Sequence, residues 1–471
     1  MSDPAAAAAD DTFDVAVIGS GSGNSMIDGR FADRRVAILE RGVFGGTCLN
    51  VGCIPTKMLV YPADVAHTAQ DGPRLGVETR FEAVDWPQVR DRVFGRIDPI
   101  SVQGRAWRHG PGSPNVTLFE GHARFVGDRT LDTGTGRTIT ADQVVIAAGS
   151  RPVVPGVPGL LEAGFHTSDT IMRLDRLPAR LVVVGGGYVG AELAHVFASF
   201  GTRVTVVNRS ATLLRGHDED VAARFTAVAG RRWDLRLGRT PIRVERGPSG
   251  VRVHLDDGDS VEADELLVAV GRRSNADGLD LDRAGVKTDE DGTVVVDAYQ
   301  RTTAEGVWAL GDVAGPHQLK HVANHEARVV AHNLLHHTDP ARLITVGARP
   351  VPHAVFSDPQ IGAVGLTERE ARERGCDVVT ATQDYAGVAY GWAMEDTDGL
   401  AKMVVDRATG RILGAAIVGA QASNLVQLVV QAMSFGQTAQ ELARGQYWIH
   451  PALSEVVENL ALAVETARAS G

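Results

Sequence analysis

The feature that most constrains the fold of this chain is a glycine-rich turn that follows an apolar, strand-like run at two places, about 165 residues apart. Residues 13–18 lead into the first turn at 19–23, and residues 181–184 lead into the second at 185–190. Such a turn lets the backbone approach a pyrophosphate and aims free N–H groups at it. Because each turn is followed by another strand-like run, the pattern predicts two βαβ units and two dinucleotide sites.

The first turn departs from the usual G-x-G-x-x-G spacing. Gly19 and Gly21 are in place, but the third glycine is Gly23, and Asn24 stands where it is expected. Glu40 closes the next strand-like run about 20 residues on, where an acid accepts hydrogen bonds from ribose hydroxyls. Taken alone, this spacing is also compatible with glycines that form a tight strand-to-helix turn and bind no cofactor.

The second turn has the full spacing at its three glycines, Gly185, Gly187 and Gly190. No acid follows the next strand; Asn208 and Arg209 stand there, with Arg215 further on. A carboxylate would repel a 2′-phosphate, whereas guanidinium groups bind phosphate in a bidentate manner. The pattern therefore favours NADPH over NADH, although a chain that uses arginine for nearly all its cations also exposes arginines without such a role.

Cys48 and Cys53 lie five positions apart in a glycine-rich segment, 45–57. Five steps of a regular helix rise about 7.5 Å, beyond the roughly 7 Å Cα separation that a disulfide allows. The two sulfurs can join only if the backbone bends, and Gly52 removes the Cβ restraint where the bend is needed. Zinc would require a second pair of ligands, and two inert core cysteines would not require the glycines.

His450 and Glu455 stand near the carboxyl end. A histidine can return a proton to a departing thiolate, and a carboxylate can hold its tautomer, although such a pair is common at the start of a surface helix. The histidines within 317–337 have helical spacing, but no carboxylate or cysteine set completes a metal site, so we expect a packed helix and no metal. Cys376 is expected on a surface loop, without a partner.

Length and charge narrow the function classes. A chain of 471 residues is longer than one hydrophobic core supports, so two or more domains are predicted. The net charge of −11 disfavours nucleic-acid and anionic-membrane partners, and no apolar run is long enough to cross a bilayer. Three cysteines are too few for a disulfide scaffold, and residues 1–10 are predicted to be a flexible tail and not a signal peptide. We expect a cytoplasmic protein.

Four motifs together resemble the class I pyridine nucleotide-disulfide oxidoreductases, the flavoenzyme family that includes glutathione reductase, dihydrolipoamide dehydrogenase and mercuric reductase. They are GGTCLNVGCIPTK (45–57), GGGYVGAELA (185–194), WALGDVAG (308–315) and HPALSE (450–455). The resemblance extends over about 13–464 and implies an α/β fold with two Rossmann-like domains, for FAD and NADPH, and a C-terminal α+β dimerisation domain. The boundaries are predicted at 1–150 and 275–347 for FAD, 151–274 for NADPH and 348–471 for the interface.

The resemblance also assigns site residues. FAD is expected at the positions Gly19, Gly21, Gly23, Glu40, Thr47, Lys57, Gly149 and Asp312. NADPH is expected at Gly185, Gly187, Tyr188, Gly190, Asn208, Arg209, Arg215 and Gly271, with Tyr188 as a gate. Lys57, paired with Glu192, would lie beside the flavin. Cys53 would be the thiolate against the flavin and Cys48 the nucleophile, while His450, oriented by Glu455, would come from the partner subunit of a homodimer.

Within the family, the segments at 19–28, 318–334 and 447–460 look most like the mycothione reductase subfamily. The implied reaction is NADPH-dependent reduction of a small disulfide, mycothione, through a Cys48–Cys53 disulfide. Three alternatives remain: a dihydrolipoamide dehydrogenase, a glutathione-reductase-like enzyme, and a non-catalytic flavoprotein assembly subunit. The missing acid near Asn208 disfavours the first, and retention of both cysteines and His450 disfavours the last. Mercuric reductases and large thioredoxin reductases carry a second redox pair at the carboxyl end, which this chain lacks.

Overall fold

The computed structural model describes residues 11–470, so the predicted tail at 1–10 lies outside the described residues. The helices, in chain order, are α1 Ser22–Ser25, α2 Gly46–Asn50, α3 Cys53–Asp71, α4 Trp86–His109, α5 Leu160–Ala163, α6 Ser168–Ile171, α7 Tyr188–Ser199, α8 Glu219–Ala229, α9 Lys320–Leu335, α10 Glu368–Glu373, α11 Ala389–Ala393, α12 Ala422–Ser434, α13 Ala439–Arg444 and α14 Glu455–Ser470.

The strands are β1 Asp11–Ile18, β2 Val36–Leu39, β3 Val116–Phe119, β4 Arg124–Gly127, β5 Thr130–Asp132, β6 Thr138–Ile146, β7 Ser150–Pro152, β8 Arg180–Val184, β9 Arg203–Asn208, β10 Asp234–Leu237, β11 Pro241–Gly247, β12 Gly250–Leu255, β13 Ser260–Ala263, β14 Glu265–Val268, β15 Arg272–Ser274, β16 Val307–Ala309, β17 Pro352–Val355, β18 Gln360–Gly365, β19 Val378–Asp384, β20 Leu400–Asp406 and β21 Ile412–Gly419.

The chain forms two compact units. The first comprises Met1–Pro55, as far as it is described, with Asp91–Val153 and Arg272–Ala348. Its main sheet has the order β3-β2-β1-β6, with β16 parallel to β6 on the far side and β5 and β4 continuing as antiparallel strands. The parallel strands are nearly continuous apolar runs, as expected for strands covered on both faces. Val17, for example, is fully buried and lies in register with Ile38 and Val145.

The crossover after the first glycine-rich turn is shorter than a βαβ unit predicts. Helix α1 has only four residues. The Asp28 side chain then accepts a hydrogen bond from the backbone N–H of Arg30 and starts a 3-10 turn at Gly29–Phe31. Because this capped turn interrupts the helix, β1 and β2 are joined by about one helical turn and not by a long helix.

The second unit comprises Thr56–Arg90, Val154–Gly271 and Arg349–Gly471, described to residue 470. It contains a parallel sheet of order β10-β9-β8-β14, with α7 connecting β8 to β9, and an antiparallel sheet of order β11-β12-β13. This is the arrangement of a Rossmann-like domain, and here the crossover helix has twelve residues.

The carboxyl-terminal part of the second unit is an antiparallel sheet of order β17-β18-β21-β20-β19. The apolar faces of α12 and α14 belong to one core with this sheet, in which Val429, Leu460 and Ile417 are fully buried. Two Rossmann-like parts and an α+β part are therefore present, as the fold-class prediction states.

Candidate functional site

The two neighbouring cysteines lie on either side of a break between two helices. Cys48 is in α2 and Cys53 begins α3; the chain turns between them at Val51 and Gly52. A Cβ on Gly52 would lie 3.0 Å from the carbonyl oxygen of Thr47, so a side chain there would crowd the turn. A hydrogen bond to Cys53, together with burial, raises the pKa of the Cys48 thiol. The bend required by the spacing is present, and it brings the two thiols together.

The edge of the first sheet is organised by Glu40, immediately after β2. Its Oε2 accepts hydrogen bonds from the Ser20 backbone N–H, at 2.9 Å, and from the Ser20 hydroxyl, at 2.6 Å. The Ser20 Oγ in turn accepts one from the Gly45 N–H at 2.9 Å. Glu40 thus ties the first glycine-rich turn to the segment that precedes Cys48.

Gly23 performs the packing role of a third glycine. A Cβ on it would lie 2.6 Å from the Ala147 Cβ and 2.9 Å from a methyl of Val17. The shifted spacing therefore still lets α1 lie against the sheet. Asn24, the departure from the motif, is held by Arg108: the Arg108 Nε donates to its Oδ1 at 2.7 Å, and Nη2 donates to its carbonyl oxygen at 3.0 Å.

Two arginines three residues apart, Arg105 and Arg108, have different surroundings. Both lie on α4. Arg108 is buried and also donates to the Ile27 carbonyl oxygen and to Ser113. Arg105 is exposed and pairs with Glu120. No local signal could have identified Arg108, because its partner Asn24 is 84 residues away.

Asp312 lies in a short 3-10 turn after β16, and its Oδ2 accepts a hydrogen bond from the Ser150 hydroxyl at 2.7 Å. Arg272 donates to the same hydroxyl. At Gly149, φ is +68°, and a Cβ there would meet nothing within 4 Å, which leaves open space beside the carboxyl end of β6. An acid after β2, an acid after β16 and a close-packed glycine turn form a donor and acceptor set that fits FAD.

The second glycine-rich turn is tightly packed. A Cβ on Gly185 would lie 2.3 Å from the Ala269 carbonyl oxygen, and one on Gly190 would lie 2.1 Å from the Gly185 carbonyl oxygen. Gly187 is the N-cap of α7, and a Cβ on it would meet nothing within 4 Å. The open side of this turn is therefore at Gly187, where a pyrophosphate can approach the helix.

The residues predicted to read the 2′-phosphate are of two kinds. The Asn208 side chain is used within its own loop: it accepts from the Gly186 N–H and donates to the carbonyl oxygens of Ser210 and Thr212. Arg209 and Arg215 are exposed, and across residues 11–470 neither has a carboxylate within 4.0 Å. Two arginines can therefore bind a phosphate, whereas the asparagine shapes the loop.

Tyr188, the first residue of α7, packs on two histidines that the sequence did not single out. Its ring centroid is 5.5 Å from that of His217 and 6.0 Å from that of His353. His217 is 2% exposed, and neither of its ring nitrogens has a hydrogen-bond partner within the described part of the chain. Burial, with a smaller contribution from His353, lowers the pKa of His217 to about 3.

Lys57 and Glu192 form a close ion pair in the second unit, with the Lys57 Nζ 2.5 Å from Oε2 of Glu192. The other carboxylate oxygen accepts from the Phe356 N–H at 2.9 Å, and the ammonium lies 4.5 Å from the centroid of the Phe356 ring. Gly271, predicted to contact NADPH, is exposed with φ of +132° and open space where a Cβ would be.

His450 and Glu455 are brought together. Nδ1 of His450 is 2.7 Å from Oε1 of Glu455, and Oε2 accepts from the Ala452 N–H at 3.0 Å. The bond to His450 lowers the pKa of Glu455. The imidazole is 71% exposed, and Tyr447 and Ile449 beside it are also exposed. A carboxylate in this geometry can fix the tautomer of the ring and leave Nε2 at the surface.

The remaining sequence candidates lie outside these clusters. His325 and His332 on α9, and His336 directly after it, are hydrogen-bonded to backbone carbonyl oxygens. In the described ranges, no cluster of His, Cys, Asp and Glu is arranged to hold a metal ion. Cys376 lies in the loop that follows α10, as expected, but it is half-buried there and packs against the cluster that contains Ala371. None of the helices within residues 11–470 has the length and apolar character required to span a bilayer.

Comparison with known proteins gives a consistent result. The family model for pyridine nucleotide-disulphide oxidoreductases matches residues 13–327, and the model for the dimerisation domain of the same family matches 351–461. The mycothione reductase of Mycobacterium tuberculosis is 55% identical over 460 residues, which is 96% of this chain and 99% of the relative. The mercuric reductase of Streptomyces lividans is 36% identical and 96% of each chain is covered.

Among solved structures, the HOCl-induced flavoprotein disulfide reductase RclA from Escherichia coli superposes with a TM-score of 0.83 at 29% identity. That match covers 96% of this chain and 99% of the other.

Proposed function

The chain belongs to the pyridine nucleotide-disulphide oxidoreductase family, and we propose that it reduces the small disulfide mycothione with NADPH as electron donor. It is an FAD-dependent disulfide reductase that uses NAD(P)H. The proposal therefore concerns the substrate, the choice of donor and the residues that act. The observation that carries it is the break at Val51 and Gly52, which joins the Cys48 and Cys53 thiols in a hydrogen bond.

The substrate is proposed from the relatives and from the placement of two arginines. Mycothiol consists of a cysteine attached to an amino sugar and inositol and has no free carboxylate, so its disulfide requires no arginine clamp. Arg105 pairs with Glu120, and Arg108 is buried in its contact with Asn24. Arg108 is therefore unavailable to hold the carboxylates of a glutathione-like substrate, and Arg105 would have to leave Glu120 to do so, which supports mycothione over glutathione disulfide.

NADPH is proposed over NADH because of the charges after β9. Arg209 and Arg215 are exposed on the loop that follows this strand, and no acid stands at its end. Guanidinium groups there would attract a 2′-phosphate, and the absent carboxylate would not repel it.

The catalytic cycle divides among the residues as follows. The residues after β2 and β16 and the first glycine-rich turn would hold FAD, which would supply two-electron transfer between the nicotinamide and the disulfide. With two electrons and two protons, the Cys48–Cys53 disulfide opens to two thiols. Cys48, as thiolate, attacks one sulfur of the substrate disulfide and releases the first thiol, which takes its proton from His450 of the partner subunit. Cys53 then attacks Cys48, restores the disulfide and releases the second thiol. Glu455 holds the imidazole through Nδ1.

A homodimer with a shared site is proposed from the match to the dimerisation domain and the exposure of His450. Complementation of two inactive variants tests it. If His450 acts across subunits, unfolding and refolding Cys48→Ser and His450→Ala chains together gives heterodimers with one intact site and about a quarter of the wild-type activity. If His450 acts within its own chain, no site is intact and the mixture stays inactive.

The redox role of the cysteines is tested by counting thiols. NADPH added to the holoenzyme should make Cys48 and Cys53 alkylatable, as measured by mass spectrometry, while labelling of Cys376 should not change. Cys376→Ser is the matched control and should keep wild-type turnover, whereas Cys53→Ser should abolish it. Steady-state assays of mycothione, glutathione disulfide and lipoamide then decide the substrate: a preference for lipoamide with NADH would overturn both the substrate and the donor.

Several assignments stay predictions within this proposal. The domain limits at 150, 274 and 347 and the cytoplasmic location are of this kind. So are the positions of Lys57 and Glu192 beside the flavin and the gating role of Tyr188.

A further inference from the structure

Lys320, the first residue of α9, contacts the first glycine-rich turn. Its Nζ donates a hydrogen bond to Oγ of Ser22 at 2.8 Å. Ser22 lies between Gly21 and Gly23, so the ammonium stands at the turn that the sequence predicts to receive a pyrophosphate. Lys320 is half-buried, and both residues belong to the first unit.

The charge of Lys320 has no carboxylate counter-ion within 4.0 Å among the residues that the structure describes. The two other lysines that are shielded from solvent do have one: Lys57 pairs with Glu192, and Lys402 pairs with three carboxylates, the nearest that of Asp220. The fourth lysine, Lys287, is exposed. Partial burial of an ammonium is costly unless a negative group compensates it, and the Ser22 hydroxyl carries no charge.

The short helix α1 gives a reason for an extra cation at this place. In the second unit, the glycine-rich turn leads into α7, whose twelve residues separate its positive and negative ends by about 18 Å. Helix α1 has four residues, so its negative end lies only about 6 Å from its positive end. The field that such a short helix exerts on an anion is largely cancelled.

We propose that Lys320 is a cofactor-binding residue whose ammonium pairs with the pyrophosphate of bound FAD and replaces the contribution of a full crossover helix. The pyrophosphate supplies the negative charge that the protein does not place beside Lys320. The inference rests on the use of FAD, and it is independent of the identity of the disulfide substrate and of the roles given to His450 and Glu455.

The charge of Lys320 also acts on Cys48. It favours a lower pKa of the Cys48 thiol, although the hydrogen bond to Cys53 and burial raise that pKa by more. A residue that only tuned the thiol would show the same electrostatic influence. The two roles differ in what they predict for cofactor affinity, which can be measured without turnover.

The test is the affinity of the full-length apoprotein, prepared from each holoenzyme, for FAD and for ADP. Lys320→Met should weaken both by about ten- to a hundredfold, as expected for loss of a charge-assisted hydrogen bond. Lys320→Arg should remain within about threefold of the wild type, because the charge is kept. Lys287→Met, which removes an exposed charge, is the matched control and should leave both affinities unchanged. Flavin fluorescence reports FAD binding and calorimetry reports ADP binding.

Two results would overturn the inference. Unchanged FAD affinity with slower alkylation of Cys48 would make Lys320 a tuning residue of the thiol. A loss of FAD affinity without a loss of ADP affinity would place the ammonium at another part of the flavin nucleotide. If Lys320→Met does not yield folded apoprotein by circular dichroism, Lys320→Gln carries the same expectations.

Discussion

Replacement of Arg108 by methionine should destabilise the first unit far more than the same change at Arg105. The methionine keeps most of the apolar stem but removes four hydrogen bonds, to Oδ1 and the carbonyl oxygen of Asn24, the carbonyl oxygen of Ile27 and the hydroxyl of Ser113. Each buried acceptor left unpaired costs about 1–3 kcal/mol. The removal of a buried guanidinium, whose pKa is lowered by burial, offsets part of that cost.

A net loss of about 2–4 kcal/mol is expected for Arg108→Met, which corresponds to a roughly 30- to 1000-fold change in the unfolding equilibrium. Arg105 lies one helical turn earlier on α4 and pairs with Glu120 at the surface, so Arg105→Met should have little effect. The pair of variants therefore separates the buried network from the general effect of losing a charge on this helix.

Release of FAD during denaturation with urea, followed by flavin fluorescence, reports on the first unit specifically. A double-mutant cycle with Asn24→Ala should give a coupling free energy of about 1 kcal/mol or more, because the two side chains share one bond. Equal midpoints for Arg105→Met and Arg108→Met, or full additivity in the cycle, would show that Arg108 does not hold the glycine-rich turn.

Four further substitutions have defined expectations. His217→Phe should reduce the loss of unfolding free energy that occurs in acid. The pKa of His217 is about 3 in the folded wild type, so between about pH 6.5 and 3 only the unfolded chain binds a proton at this residue. As the pH is lowered through this range, the free energy of unfolding therefore decreases by up to about 1.4 kcal/mol per pH unit. Urea denaturation of both proteins at pH 7 and pH 5 measures this decrease, and an equal decrease in the wild type and in His217→Phe would contradict the prediction. Arg209→Ala and Arg215→Ala should lower kcat/KM for NADPH by about tenfold or more each and leave kcat/KM for NADH nearly unchanged. Glu455→Ala should reduce turnover by about tenfold or more, because the Glu455 carboxylate no longer holds the His450 imidazole. Reduction of the enzyme by NADPH, measured by stopped flow, should not change.

The features that could be predicted from the sequence depend on local geometry. The rise of a regular helix shows that Cys48 and Cys53 need a bend, and Gly52 marks where it occurs. Glycine spacing and strand composition likewise predict the two parallel sheets, because each depends on residues close in the chain.

The features that could not be predicted depend on contacts distant in the chain or on competition within a loop. Arg108 reaches Asn24 across 84 residues, and Lys320 reaches Ser22 across 298. The Asn208 side chain bonds to backbone groups of its own loop, as short polar side chains often do, and no sequence pattern indicates this. Its place among the NADPH-binding residues stays a prediction.

The protonation of the cysteine pair leads to a prediction for His450. The hydrogen bond with Cys53, together with burial, raises the pKa of the Cys48 thiol, so loss of the Cys48 proton near neutral pH is disfavoured. Cys48 must nevertheless attack as a thiolate, and a base has to remove that proton. His450→Ala should therefore lower turnover by about 10²- to 10⁴-fold at pH 7.

The loss in His450→Ala should diminish as the pH is raised from 7 to 10, because a thiol with a raised pKa ionises without help only in alkaline solution. Over the same pH range, the turnover of the wild type should not rise to the same extent. The Cys376→Ser variant, which changes a cysteine outside the pair, should follow the wild type. Turnover of His450→Ala that is independent of pH, or equal to that of the wild type at pH 7, would mean that the proton of Cys48 leaves by another route.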